Sequence, residues 1–280
     1  MCGVIGFAGP PSLQAALLFQ SLLIADEVRG KHSTGYVVLN GQSPVLVKKA
    51  LSGQKFVEDG FTQPLFKRRF RLALGHNRQA TCGAVNHRNA HPFGMKSSRG
   101  GWCYGVHNGI VRNATALARS HGVVESPVDS ETVLRAIVRG AGTSERELVE
   151  SIEGITREIR PHADFAFLYL DPGKKGIYFW RSPERPLVVL DARKVGLGRW
   201  FCSTVEIFVR AWKPLRGFLP SISKASVFDA KAFTLYRVRD DGHFEVEPIR
   251  RLDVGPEPAA PLYSVDGCLP FTEKGGEPWS

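Results

Sequence analysis

Hydrophobic residues near the start of the chain follow two different periods. Residues 3–7 (GVIGF) form a short apolar run, which predicts a buried strand that begins directly after Cys2. From residue 12 to residue 28 the apolar side chains recur at helical spacing, and Gly30 ends this pattern. The sequence therefore predicts a strand that anchors the second residue in the core, followed by one helix.

Turn residues divide the next section of the chain into further strands. Residues 35–39 and 45–49 flank the tetrapeptide NGQS, and this arrangement predicts a β-hairpin. Residues 71–76 and 102–107 are largely apolar, and each segment runs into a turn rich in glycine or asparagine. We expect both of these segments to be strands.

A pair of helices is predicted in the middle of the chain. Ser126, Pro127 and Asp129 resemble a helix start, because a capping residue, a proline in the first turn and an early carboxylate all suit exposed N–H groups. Ser144 and Glu147 form a capping-box pattern for the second helix. Apolar residues at helical spacing predict the buried faces, namely Val133, Leu134, Ile137 and Val138 in the first helix and Leu148, Ile152, Ile155 and Ile159 in the second.

Beyond Pro161 the pattern changes to that of strands. These are predicted at residues 165–170, 177–181, 187–190, 200–203 and 234–238. The order of strand, helix, several strands, helix pair and several strands favours antiparallel sheets layered with helices over a parallel βαβ sheet. We expect one domain over residues 1–252, and a tail over residues 253–280, which are rich in proline and glycine and lack periodicity.

The bulk properties narrow the class of protein. A chain of 280 residues with 43% hydrophobic content can bury one sizeable core, and no stretch approaches the roughly 18 uninterrupted apolar residues of a membrane span. We therefore expect a soluble, cytoplasmic protein. Its five cysteines are scattered without the spacings of a disulfide framework or a zinc site, and the histidines near Cys82 and Cys103 also lack ligand spacing. We expect no metal and no cofactor.

The formal charge of +10 favours acidic partners, and residues 67–71 (KRRFR) are the densest basic cluster. No zinc-finger spacing, recognition helix or aromatic-interleaved RNA-binding pattern accompanies this charge. The sequence favours a solvated basic face, or one that meets an acidic protein, over a nucleic-acid-binding surface.

A cysteine at position 2 has a specific chemical use. Removal of Met1 leaves a thiol and a free α-amine on Cys2, and the reference pKa of an α-amine, about 7.7–8.0, suits a general base near neutral pH. The thiolate is the reactive form of cysteine, so one residue supplies both the nucleophile and its base. A cysteine near the start of a chain is by itself weak support for this chemistry.

Five motifs downstream of the opening MCGVIGFAG strengthen the hypothesis, because together they resemble the class II glutamine amidotransferase family. In chain order they are VRGKHSTG at 28–35, GHNRQATCG at 75–83, NAHPF at 89–93, VHNGIV at 106–111 and VDSETVLRAI at 128–137. The resemblance covers roughly the first half of the chain and places Cys2 at the position of the nucleophile. Each motif alone is weak, whereas five in order are specific.

The resemblance implies roles that suit glutamine, which carries an α-carboxylate, an α-ammonium and an amide carbon. Arg78 would grip the carboxylate and Asp129 the ammonium, so that the side chain is directed at Cys2. Asn108 and Gly109 match the oxyanion hole, formed by a side-chain amide and a backbone N–H. The family also implies that Arg29, Thr81 and His91 shape or line the pocket.

The chain departs from the family pattern at several positions. Relatives often carry an acidic residue where His32 stands, so the contact of that carboxylate is absent or replaced. They also often have threonine, an aromatic residue and histidine where Asn77, Gln79 and Cys82 stand. The aromatic residue lies on a loop that closes over glutamine, so Gln79 indicates a different lid or acceptor partner.

The resemblance implies an α+β, four-layer αββα sandwich of two mainly antiparallel sheets, the N-terminal-nucleophile hydrolase fold. It also implies a glutaminase that releases ammonia through a Cys2 thioester. No phosphate loop, PP-loop signature or sugar-isomerase domain follows, so we expect a separate acceptor enzyme as partner.

Two alternatives stay open at this point. One is a hydrolase of the same fold that acts on another γ-glutamyl or amide compound, which stimulation of the glutaminase by a synthetase would exclude. The other is a catalytically inactive, basic nucleic-acid-binding protein, which salt-sensitive binding without glutaminase activity would support. An acceptor that is itself a nucleotide or nucleic acid would combine both properties.

Overall fold

The computed structural model describes residues 2–41, 43–97 and 100–255. Its strands are β1 (Gly3–Ala8), β2 (Ser33–Leu39), β3 (Val45–Lys49), β4 (Leu72–Arg78), β5 (Phe93–Lys96), β6 (Trp102–Val111), β7 (Ala163–Asp171), β8 (Gly176–Arg181), β9 (Val188–Asp191), β10 (Arg199–Cys202), β11 (Ser226–Asp229), β12 (Thr234–Arg239) and β13 (Val246–Arg251). Its α-helices are α1 (Leu13–Ala25), α2 (Gly53–Glu58), α3 (Gln63–Arg68), α4 (Ala114–Ser120), α5 (Asp129–Gly140), α6 (Glu145–Ile159) and α7 (Val205–Trp212).

The strands form two sheets. The strand order is β11-β9-β10-β1-β4-β2-β3 in the first sheet and β13-β12-β8-β7-β6-β5 in the second. The pairs of neighbouring strands in both sheets are antiparallel. The prediction of antiparallel sheets rather than a βαβ arrangement is therefore confirmed.

Three hydrophobic clusters define the layers. One cluster joins α1 and α7 to the outer face of the first sheet, and it includes Phe19 and Trp200. A second cluster joins α5 and α6 to the outer face of the second sheet, and it includes Ile137 and Trp180. The third cluster fills the space between the sheets with side chains from both. Helices, sheet, sheet and helices thus follow one another, which confirms the predicted four-layer αββα sandwich.

Local sequence explains where the main helices begin. The Ser12 hydroxyl accepts a hydrogen bond from the N–H of Ala15 at 3.0 Å and caps α1. The predicted capping box at the start of α6 is present, because the Ser144 hydroxyl and the Glu147 carboxylate each accept from the backbone of the other residue.

Helix α5 begins later than the pattern of Ser126 and Pro127 indicated. Its cap position is Val128, and the Ser126 hydroxyl instead accepts from the Val128 N–H at 3.2 Å. The Asp129 carboxylate accepts from the N–H of Val111, at the end of β6, at 2.7 Å. A tertiary contact therefore fixes the start of this helix.

The predicted boundary between a domain and a tail stays a prediction. Asp253 contacts the domain, because its carboxylate pairs with Arg157 at 2.7 Å and its N–H donates to Glu153 at 2.9 Å. Residues 256–280, which make up most of the predicted tail, lie outside the described residues.

Candidate active site

The end of β4 and the starts of β1 and β2 meet at one edge of the first sheet. Gly3 of β1 is paired with Asn77 of β4, and Ser33 of β2 is paired with Arg78. Cys2, directly before Gly3, therefore lies beside the end of β4. Its sulfur is 3.4 Å from the carbonyl oxygen of Gln79, the residue that follows Arg78.

The Cys2 thiol is partly shielded from solvent. Burial raises the pKa of this thiol, while a backbone hydrogen bond at Gln79 and the positive charge of Arg78 act against the rise, and the charge of Asp129 adds to it. A raised pKa keeps the sulfur protonated, and a protonated thiol is a poor nucleophile. The residue therefore needs an adjacent base to become reactive.

Arg78 is buried and lies between the thiol and the loop that follows β4. Its guanidinium donates hydrogen bonds to the carbonyl oxygens of Cys82 and, at 3.3 Å, Ala84. Burial lowers the pKa of this guanidinium, whereas Cys2, Cys82 and Asp129 raise it, so these three groups surround the charge. An arginine stays charged in such a setting and suits the carboxylate of a ligand.

Asp129, at the start of α5, faces the same space. Its two oxygens accept from the backbone N–H groups of Val111 at 2.7 Å and Ser130 at 2.8 Å, and the Cys82 sulfur is 4.0 Å away. A carboxylate at a helix N-terminus is stabilised by the helix dipole. The Ser130 hydroxyl also lies 3.3 Å from Oδ1, whereas Oδ2 accepts only the Val111 bond among the described residues, so Oδ2 has a lone pair left for a ligand cation.

Asn108 and Gly109 lie in β6. The Asn108 side chain is fully buried, and neither its nitrogen nor its oxygen has a hydrogen-bond partner among the described residues. Gly109 has a φ of 152°, and a Cβ at this position would lie 1.9 Å from the carbonyl oxygen of Asp164, so only glycine fits. An unpartnered buried amide costs about 1–3 kcal/mol of stability, and a function that uses its N–H would explain the cost.

The remaining predicted residues occupy different surroundings. Arg29 donates from Nε to the carbonyl oxygen of Cys2 at 2.9 Å, so it directly contacts the residue predicted to be the nucleophile. His91 is buried between the sheets, where its ring stacks on His76 with centroids 4.0 Å apart. Thr81 is exposed in the loop after β4. The structure thus brings Arg29, Arg78 and Asp129 close to Cys2. It places His91 deeper in the core and Thr81 at the surface.

His32 stands where relatives often carry an acidic residue, and it makes a hydrogen bond of its own. Its Nδ1 accepts a hydrogen bond from the N–H of Ala80 at 2.9 Å. This bond joins the segment before β2 to the loop after Arg78 and so helps to hold that loop in place.

Other features lie away from these residues. A surface cavity of about 820 Å³ is lined by Met95, Trp102, Val124 and Arg139, among others, and by none of the predicted site residues. Within the described ranges, no group of three or more histidine, cysteine or acidic side chains is placed to hold a metal ion. No described helix has both the length and the apolar character needed to cross a membrane.

The basic cluster at 67–71 is partly used inside the protein. Phe70 is buried, and Arg71 pairs with Asp240 at 2.6 Å while stacking over the ring of Phe244. Binding of nucleic acid by this face stays a prediction.

Comparison with known proteins decides the family. A model of the class-II glutamine amidotransferases matches residues 13–195, which is more than half of the chain. The chain belongs to the class-II glutamine amidotransferases. The family predicted from the motifs is thereby confirmed, and so is the prediction of an enzyme. The matched segment contains Arg29, Arg78 and Asp129 and begins after Cys2.

Relatives of this amidotransferase include two glutamine–fructose-6-phosphate aminotransferases (isomerizing). The protein from Aeropyrum pernix is 30% identical over 93% of this chain, and the protein from Thermococcus kodakarensis is 29% identical over 99%. Each alignment covers 42% of the relative. The amidotransferase chain therefore spans about two fifths of the length of these relatives.

Solved structures share the fold of this amidotransferase. They include glutamine phosphoribosylpyrophosphate amidotransferase from B. subtilis complexed with ADP and GMP, with a TM-score of 0.67, and the allosteric regulatory enzyme of purine biosynthesis, with a TM-score of 0.69. Both are 20% identical to this chain, and each match covers 91% of it and 50% of the other chain. They support the predicted N-terminal-nucleophile fold.

Sequence reasoning missed a buried histidine cluster in this amidotransferase. The Nε2 of His76 is 2.9 Å from the carbonyl oxygen of His107, and the Nδ1 of His107 is 2.8 Å from the Ser130 hydroxyl. With His91 stacked on His76, the cluster links β4, β6 and α5 beneath the site. The sequence does contain a signal for this cluster, because His76 and His107 both precede an asparagine, in the GHN and VHN motifs.

Burial sets the protonation of this cluster. It lowers the pKa of His76 to about 3 and the pKa of His91 well below its ordinary value. These rings therefore bind protons only in the unfolded chain, whose histidines titrate near pH 6.5. The contribution of these two rings to the free energy of unfolding is then largest above about pH 6.5 and falls as the pH drops below that value.

We expect His91→Phe, which keeps an aromatic ring in the stack, to weaken this pH dependence. Between about pH 6.5 and 5, the free energy of unfolding should fall less steeply with decreasing pH in this variant than in the native sequence. The two slopes should differ by up to about 1.4 kcal/mol per pH unit, the value for one proton. Urea unfolding at several pH values measures the slope. An equal slope in both proteins would contradict the prediction, because it would mean that His91 binds its proton equally in the folded and the unfolded chain.

Proposed function

We propose that this class-II amidotransferase domain is a glutaminase that uses Cys2, after removal of Met1, as nucleophile and base. The observation that carries the proposal is the position of the Cys2 sulfur beside Gln79, within the electrostatic reach of Arg78 and Asp129. A thiol flanked by one buried cation and one buried anion suits an amino acid as substrate.

Two opposite charges fix the amino-acid head of glutamine in this account. The α-carboxylate pairs with the guanidinium of Arg78, and the α-ammonium pairs with the carboxylate of Asp129. Both protein groups are already held by hydrogen bonds with the backbone, so they lose little conformational entropy when glutamine binds. The substrate side chain is then directed at Cys2, and this orientation contributes much of the rate.

The chemical steps use groups of this chain. The α-amine of Cys2 accepts the thiol proton as the sulfur bonds to the amide carbon, and the Asn108 amide and the Gly109 N–H stabilise the oxyanion. The carbon–nitrogen bond breaks, the leaving nitrogen takes the proton from the amine, and ammonia departs from a γ-glutamyl thioester. Water then attacks the thioester with the amine as base, releasing glutamate and restoring the thiol.

The ammonia is passed to an acceptor site outside this chain of 280 residues. Support comes from the relatives, whose names describe aminotransfer to fructose 6-phosphate and of which this chain spans about two fifths. We expect the acceptor to be a partner enzyme. Gln79, whose carbonyl oxygen is 3.4 Å from the Cys2 sulfur, departs from the family pattern beside the glutamine site and is the residue we expect such a partner to affect.

Cys2→Ala is expected to abolish release of ammonia from glutamine, because it removes the attacking sulfur. Ammonia and glutamate are measured together with glutamine as the substrate. The matched control is Cys103→Ala, which removes a buried thiol on β6 within the core beneath the helices α5 and α6 and should leave activity in place. Undiminished ammonia release by the Cys2 variant would end the assignment.

Asn108→Leu is expected to separate activity from stability. The side chain keeps its size while the amide is lost, so kcat should fall by about 10²–10³-fold with little change in KM for glutamine. Since neither amide atom of Asn108 has a partner among the described residues, the free energy of unfolding should not decrease. Steady-state kinetics and urea unfolding test both points, and a destabilised variant with normal kcat would assign Asn108 a structural role instead.

A further inference from the structure

A buried carboxyl group lies directly behind the nucleophile. Asp26 is fully buried, and neither of its side-chain oxygens has a hydrogen-bond partner among the described residues. An unpartnered carboxyl in a protein interior is costly, and aspartate is almost never fully buried unless it is paired. The proposed chemistry gives this group no direct part, so its position calls for another explanation.

Asp26 belongs to a short 3-10 turn, Asp26–Arg29, that joins α1 to the segment before β2. A Cβ built on Gly3 would lie 1.8 Å from the Asp26 Oδ2, so the carboxyl rests against the Cα of Gly3 and only glycine leaves room for it. Arg29, at the other end of the turn, donates to the carbonyl oxygen of Cys2 at 2.9 Å. One turn therefore contacts both residues of the Cys2–Gly3 peptide.

Asp26 and Arg29, at the two ends of this turn, affect each other's ionisation. Burial raises the pKa of the Asp26 carboxyl well above its ordinary value, and the charge of Arg29 opposes that rise. Burial likewise lowers the pKa of the Arg29 guanidinium, Asp26 opposes the change, and Arg185 adds to it by repulsion. Each charge thus stabilises the other where little water is present. Without Asp26, Arg29 would lose the attraction that opposes its burial and the repulsion from Arg185.

We propose that Asp26 is a positioning residue, which holds Arg29 against the Cys2 carbonyl and so fixes the orientation of the thiol and the α-amine. The inference rests on the proposed function, in which Cys2 is the nucleophile. Asp26 does not touch glutamine in this account and acts only through Arg29 and the Gly3 contact. Its loss should therefore affect the reaction step and spare the binding of the amino-acid head by Arg78 and Asp129.

The test compares Asp26→Asn with Asp171→Asn, a matched control. Asp171 is also a buried carboxylate, but it pairs with Lys174 at 3.4 Å at the end of β7. For Asp26→Asn we expect kcat for glutamine to fall by at least about tenfold with KM within about twofold, and alkylation of Cys2 by iodoacetamide to slow. The control should match the native sequence in both. Mass spectrometry of the N-terminal peptide measures alkylation without any need for glutaminase activity.

A folded Asp26→Asn variant with native kcat and a native alkylation rate would overturn the proposal. If circular dichroism shows that it does not fold, Asp26→Leu is the second variant, since it replaces the carboxyl by an apolar group of similar length. Arg29→Gln provides an independent measurement: the proposal predicts slower Cys2 alkylation, and a native rate in that variant contradicts it.

A double-variant cycle tests whether Asp26 acts through Arg29. In the Arg29→Gln background, Asp26→Asn should cause no further fall in kcat or in alkylation rate, and a second fall of equal size would contradict the proposed route. Failure of the proposed function is distinguishable, because it would appear as no ammonia release by the native protein or as undiminished release by Cys2→Ala, while the alkylation rates still report on Asp26.

Discussion

The antiparallel pairing of β1 with β4 and β10 holds the first residues of the chain inside a sheet. Chain termini are usually poorly ordered unless they are tied into such an element. Here all six residues of β1 are buried, and Gly3 lies opposite Asn77 of β4. This register sets Cys2 beside Arg78 and Gln79. The proposed amino-acid site follows from it, because a thiol on a loose end of the chain would have no fixed distance to a cation or an anion.

The same region concentrates polar groups where a core would ordinarily be apolar. Among the residues that the structure describes, His91 and Asn108 have buried polar atoms without a hydrogen-bond partner, as does Asp26 behind the Cys2–Gly3 segment. Each lowers stability relative to an apolar replacement, and departures from the rules of core packing of this kind are expected where function requires them. The clusters around α1 and α5, made of well-packed apolar side chains, supply the stability that offsets them.

Periodicity predicted most of the fold, because β1, the hairpin and α6 are specified by their own residues. The start of α5 was misplaced, since Asp129 is recruited by the Val111 N–H of a strand distant in sequence. Short helices such as α2 and edge strands such as β11 carry too few residues to show a period. Motif resemblance located Arg78 and Asp129. It could not reveal Asp26, because an acidic residue just after a helix ordinarily faces water, and only the packing of Gly3 against it shows otherwise.

The proposed chemistry requires that the mature chain begins with Cys2 and that this residue attacks glutamine. Incubation with a glutamine-analogue electrophile, followed by mass spectrometry of the intact protein and its N-terminal peptide, tests both parts together. We expect a single adduct on the Cys2 sulfur of a chain that lacks Met1, and excess glutamine should slow its formation. A retained Met1, or an adduct carried by Cys82 in place of Cys2, would contradict it.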